Sequence, residues 1–204
     1  KDSLTVDSLQ ALREYIALKF PNYPAAALTY ENAPVQSERT QYTRRRLNEI
    51  DIKREKYERT KQSTQIGSKL SLKLPSITEE EISLSDLKSK FIFVDIWASW
   101  CKPCRAQIPY IKEVLKKYPN DIKIYAVSID IGHNTWRNAI EKDQTQEFIH
   151  VIGTDQDRRN VRSVEVLGIE RIPRNFLLDR NCRIIAKDLH DEQLMQTLDS
   201  LTKQ

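Results

Sequence analysis

Residues 91–104 read FIFVDIWASWCKPC, a nearly continuous apolar run that ends on two cysteines. A run this apolar and this rich in β-prone residues is the signature of a strand covered on both faces. The chain must therefore supply layers above and below it. The flanking sequence offers them. LSLKL at 70–74 alternates as a half-buried strand does. DIKIYAVSID at 121–130 and FIHVIG at 148–153 read as further strands, and NFLLD and RIIAKDL as a hairpin around DRNC. Between them come helical spacings: Ile108, Ile111, Val114/Leu115 and Tyr118, then 134–144, then 158–166, and finally Leu194, Leu198 and Leu201. Strands alternating with helices and closing on a hairpin and a helix predict an α/β fold with a mixed central sheet. Only four glycines are present, which disfavours a turn-rich sandwich.

Where the apolar strand runs out, Cys101 opens a helix and Cys104 lies one turn on, on the same face. A helix start carries partial positive charge and unpaired N–H groups, and both favour a thiolate. Lys102 adds a cation. Cys101 is thus expected to have a depressed pKa and to be the nucleophile. Cys104 is placed to resolve a mixed disulfide by attacking the Cys101 sulfur. Pro103 suits the first helical turn, where a missing N–H costs nothing. Three other uses of such a pair are weighed. Tetrahedral zinc needs four ligands, and only Cys182, His133, His150 and His190 remain, with no second CxxC. A staple across so short a loop would constrain little chain. Inert core cysteines fit poorly beside Lys102 and Pro103. The redox reading needs no metal and no cofactor beyond the two thiols.

The first 66 residues differ in texture. Leu9, Leu12, Ile16 and Phe20, then Leu47, Ile50 and Tyr57, recur at helical spacing, and Pro21 and Pro24 break the first helix. Two or three helices are expected, the last long and charged. Residues 38–61 hold nine Lys/Arg and five Asp/Glu, which accounts for the whole net charge of +4. The Arg44–Arg46 triplet invites a nucleic-acid reading. However, Arg45–Glu49, Glu49–Lys53 and Glu55–Arg59 are opposite charges at i,i+4, so a solvated helix is the better account and no nucleic-acid partner is expected. QSTQIGSK at 62–69 reads as a linker, which gives a helical region at 1–66 and a second domain at 67–204. No run approaches the roughly 20 apolar residues of a membrane helix. The opening KDSLTVDSL reads as a processed or truncated start, with targeting information, such as a lipid or N-terminal anchor, cut away.

VDIWASWCKPCR resembles the active-site signature of the thioredoxin superfamily. The wider span from IGSKLSLKL to RAQIP is similar to the TlpA/ResA-like thiol-disulfide oxidoreductases, extracytoplasmic thioredoxins of bacteria. ISLSDLKSK resembles their strand and turn before the central strand, and GIERIPRNFLLDRNCRIIAKDL their cis-proline loop and closing hairpin. The resemblance covers residues 67–204 and implies a thioredoxin-like fold. It implies Cys101 as attacking thiol, Cys104 as resolving thiol, and Ile172–Pro173 as the cis-proline that faces the disulfide and docks substrate backbone. It implies Asp95 as the buried carboxylate that takes the proton of the resolving cysteine. A carboxylate inside an apolar strand is costly without a task or a partner, so its pKa should rise. Trp100 matches the aromatic that shields the nucleophile.

Departures from the family pattern also carry information. Gln107 stands where the family often has Glu, two residues before Pro109, which should still kink the helix. Arg174 follows the cis-proline where many members have Thr. An exposed cation there would favour acidic partners. Cys182 replaces the usual hairpin Gly and is either a bystander or a thiol that pairs between chains. The expected function is dithiol–disulfide exchange on proteins or small thiols in a periplasmic or membrane-tethered location, fed by an upstream electron donor. Reduction is favoured by the resemblance at Ile172 and Pro103. The rival readings are an oxidase or isomerase, and a binding module that keeps the fold while the helical region docks a partner.

Overall fold

The computed structural model describes residues 36–154, 162–165, 167–169 and 171–203. The expectations at Leu9, Leu12, Ile16, Phe20 and the Pro21/Pro24 break fall outside these residues, as does most of the helix expected at 158–166. The chain divides into two compact units, Lys1–Lys56 and Tyr57–Gln204.

The charged segment is helical, as its i,i+4 pairs predict: α1 runs from Gln36 to Ser63. A short hairpin follows, β1 (Lys73–Pro75) against β2 (Glu81–Ser83), and a 3-10 turn at Leu84–Asp86 comes directly after it. Leu70, Leu72 and Leu74 are all buried, so the alternation is real even where regular strand pairing is brief.

The main sheet has five strands. They are β3 (Phe91–Trp97), β4 (Ile122–Ser128), β5 (Ile149–Ile152), β6 (Arg174–Asp179) and β7 (Ile184–Lys187), in the spatial order β5-β4-β3-β6-β7. β3 and β4, and β4 and β5, run parallel. β6 and β7 are antiparallel to their neighbours. The helices are α2 (Lys102–Ala106), α3 (Ile108–Lys117), α4 (His133–Asp143), α5 (Arg162–Glu165) and α6 (Gln193–Thr202). The mixed α/β sheet with flanking helices is the expected thioredoxin-like fold.

All seven residues of β3 are buried, because it is the central strand and both its faces are covered. Its alternation sorts two cores. Phe91, Phe93 and Trp97 pack with Ile111, Trp136, Leu194 and both active cysteines. Ile92, Val94 and Ile96 pack with Leu72, Leu74 and Phe176 on the other face. Truncating one fully buried aromatic such as Phe93 to Ala would cost about 3–5 kcal/mol.

The segment read as a linker is not one. Thr64 is buried, Gly67 N–H donates to the Ile184 carbonyl (2.7 Å), and Leu70 N–H donates to the Cys182 carbonyl (2.8 Å). The last turn of α1 is packed as well. A Cβ on Gly168, whose φ is +57°, would fall 1.9 Å from Thr60 Cγ2. Glycine is required there by conformation and by space. The compact unit accordingly begins at Tyr57, ten residues before the expected boundary.

Candidate active site

The end of β3 delivers the chain to the dithiol. Ser99 follows the strand, and its peptide is held from two sides. Buried Asp130, just beyond β4, accepts Ser99 N–H (2.8 Å) and Ser99 Oγ–H (2.6 Å), as well as Ser128 Oγ–H (2.8 Å). Arg105 Nη1 donates to the Ser99 carbonyl at 3.4 Å, while its Nε and Nη2 form a fork on Asp143 at 2.7 and 2.5 Å. A buried carboxyl group taking three hydrogen bonds is a strong anchor. Sequence reasoning missed it. Its only signal was an acid at the end of a strand whose alternation made it look like one more edge residue.

Cys101 is the N-cap of α2, and its Sγ accepts the Cys104 N–H at 3.2 Å. That bond is the kind that stabilises a thiolate at a helix start. Cys101 and Cys104 are joined in a disulfide, and both are buried, at 4% and 2% exposure. Lys102 and Pro103 are exposed beside them, with Pro103 in the first turn. α2 stops at Ala106 and α3 restarts at Ile108, with Pro109 in its first turn, so the expected kink is present. Trp100 is 64% exposed, which excludes a core-packing role and leaves its indole on the surface next to Cys101.

Ile172–Pro173 is cis, and both residues are half-buried. Arg174 departs from expectation. It is half-buried, not exposed, and its guanidinium lies 5.2 Å over the Phe176 ring. In register it pairs with Ile96, whereas Asp95 pairs with Asn175. Arg174 therefore points to the sheet face opposite Asp95 and the cysteine cluster. The strand period, applied to Arg174, would have said so.

Asp95 lies on the same face as Phe93 and Trp97 and is 6% exposed. Among the described residues nothing donates a hydrogen bond to it. Burial alone pushes its carboxyl up to about 7. It lines a narrow cleft with Gln107, Asn175 and Asp191. A carboxyl poised near neutrality in a cleft suits proton transfer. Cys182 is free, buried and in the left-handed region at φ +60°, the conformation a hairpin Gly would adopt. Its burial keeps it from pairing between chains while the hairpin is folded. No cluster of metal-ligating side chains occurs among the described residues.

The match of the Redoxin family model spans residues 65–203, from just after α1 through α6. The chain belongs to the Redoxin family. Within that family it is a thioredoxin-like oxidoreductase with a CxxC redox disulfide, of the ResA/TlpA type. A thiol-disulfide oxidoreductase ResA of Bacillus cereus is 25% identical over 147 residues, covering 70% of this chain and 82% of the relative. The thioredoxin domain of a Bacteroides vulgatus thiol-disulfide oxidoreductase superposes with a TM-score of 0.62 at 28% identity, covering 68% of this chain and 99% of that one. A second Bacteroides vulgatus structure, a putative thiol-disulfide oxidoreductase, gives a TM-score of 0.56 at 33% identity over 69% of this chain and 91% of that one.

Proposed function

We propose that this chain reduces disulfides in proteins or small thiol compounds outside the cytoplasm of a bacterium, and that an upstream electron donor restores its dithiol. Cys101 attacks the substrate disulfide and forms a mixed disulfide. Cys104 then attacks Cys101 Sγ, and the substrate thiolate leaves. Asp95 takes the Cys104 proton. Ile172 and Pro173 dock the substrate backbone, and exposed Trp100, Lys102 and Pro103 form the rim. Arg174 has no part in this reading, because it faces the wrong side of the sheet.

The observation that carries the reading is the Cys104 N–H to Cys101 Sγ hydrogen bond at the capped start of α2. It makes Cys101 the sulfur best able to hold negative charge. The ResA relatives support the extracytoplasmic setting by resemblance, and an anchor upstream of Lys1 is compatible with it. No helix among the described residues is long and apolar enough to cross a membrane. Residues 67–204 hold every residue of this reading, and residues 57–66 serve as a packed-on turn.

The reduction potential of the Cys101/Cys104 couple tests the direction. Equilibration with glutathione redox buffers should place it near the thioredoxin value of about −270 mV. A value near about −120 mV would make the protein an oxidant and refute reduction.

A further inference from the structure

The buried Asp95 raises a question that the two cysteines do not answer. A carboxyl that accepts a proton in every cycle must also release it. Its route out is visible. The cleft that reaches Asp95 is wide enough for about one water. Its outer wall is made by Gln107, at the break between α2 and α3, and by Asp191, in the loop before α6. These two are locked together: Gln107 Nε2 donates to Asp191 Oδ1 at 3.0 Å, and Asp191 N–H donates to Gln107 Oε1 at 2.6 Å. Asp191 also lines an open surface depression with Tyr110, His190 and Glu192. It is thus the one carboxylate among the described residues that borders both Asp95's cleft and the solvent-facing depression.

We propose that Asp191 is the solvent-side acid of a proton path that empties Asp95. The proposal rests on the reading of Asp95 as the proton acceptor. In the step it serves, the Cys104 S–H bond breaks and its sulfur bonds to Cys101 Sγ. The Cys101–substrate S–S bond breaks, and two electrons leave with the substrate thiolate. The proton passes to Asp95, then through water in the cleft to Asp191, and from there to solvent. Gln107 holds the Asp191 carboxylate at the cleft mouth and cannot itself exchange a proton. Asp191 is therefore a relay and does not touch the reacting sulfurs. The other titratable groups facing the path are Tyr110 from α3 and His190 and Glu192 beside Asp191.

Asp191 has φ +52°, a conformation that Asn also tolerates. Asp191→Asn therefore removes the acid while keeping the backbone and a side-chain acceptor for Gln107. Reduced protein is mixed with dithiobisnitrobenzoate, a chromogenic aromatic disulfide. The first thiolate release reports attack by Cys101, and the second reports resolution by Cys104. In dilute, weakly buffering solution near pH ~6, below the value of about 7 to which burial pushes Asp95, most molecules start with Asp95 protonated and must empty it before Cys104 can resolve; there Asp191→Asn should leave the first phase unchanged. The second should slow toward the ~10²-fold low end of what positioned acid–base groups contribute. Raising the imidazole concentration should restore it, and so should Gln107→Glu added to Asp191→Asn, which returns an acid from the opposite wall. Release of two equivalents and not three shows that each variant retains its dithiol and that buried Cys182 stays shielded, as the fold requires. A second phase that is unchanged in Asp191→Asn, or slowed at every buffer concentration, would overturn the relay and leave Asp191 a tether. Asp95→Asn separates the two levels. If it fails to slow the second phase, Asp95 is not the acceptor. If it slows it while Asp191→Asn does not, only the relay is lost.

Discussion

Replacing Asp95 with Asn should stabilise the oxidised protein, and the gain should depend on pH in a defined way. Folding raises the Asp95 pKa from 3.8 to about 7 because burial disfavours the charged carboxylate. The folded state therefore binds the proton more tightly than the unfolded chain. Stability is greatest below the unfolded pKa and falls as pH rises toward the folded one. About three units at 1.36 kcal/mol each is a loss of about 4 kcal/mol, complete above pH ~7. Asn cannot ionise and escapes this loss. Urea unfolding of both oxidised proteins should thus give curves that nearly coincide near pH ~4, separate with a slope of about 1.4 kcal/mol per pH unit, and run parallel above pH ~7. Titration of other groups cancels in the difference, and the oxidised form keeps the Cys101/Cys104 pair silent. A difference that does not vary with pH, or a wild-type protein that is the more stable at pH ~8, would refute the assignment of a buried, uncompensated carboxylate.

Cys104→Ser should accumulate mixed disulfides on Cys101, because only resolution is lost. Peptide mapping that finds them in Cys101→Ser instead would reverse the two roles. His150 is buried between Trp97 and Phe148, and burial pushes it down to about 4. Its own contribution to stability should therefore fall by about 3 kcal/mol as pH drops from ~6.5 to ~4, opposite in sign to that of Asp95, and should show in the same unfolding assay as the difference between wild type and His150→Gln. A fragment beginning at Tyr57 should fold and reduce insulin disulfides. One beginning at Gly67 loses the packing at Thr60 and Thr64 and should unfold at lower urea by circular dichroism. Equal midpoints would show that the last turn of α1 adds nothing.

The sequence was most legible where one physical requirement leaves few solutions. FIFVDIW could hardly be other than a central strand, and two cysteines beyond it at helical spacing pointed to redox chemistry. Asp95 was legible as an anomaly, a charge where none is cheap. Most of the failures share a cause. Residues 62–69 look like a linker by side-chain composition, but they are fixed by backbone N–H groups that every residue type carries. Asp130 and Asp191 act through partners 31 and 84 positions away, a distance that no local pattern reports. Arg174 was misjudged for a different reason, since an analogy at one position was preferred to the alternation of the strand it starts.

The grip on Ser99 has a consequence for how the molecule moves between its two redox states. Its amide and hydroxyl are both engaged by Asp130, which lies at the end of β4 and outside the helix that carries the cysteines. Whatever displacement accompanies opening of the Cys101–Cys104 bond cannot easily be passed back into β3. It must be absorbed on the far side, between Cys104 and the break at Gln107, where helical hydrogen bonding is already interrupted. The sheet thus works as a fixed anvil and the first helical turn as the moving part. Amide exchange should register redox state at residues 104–107 and be blind to it at Ser99.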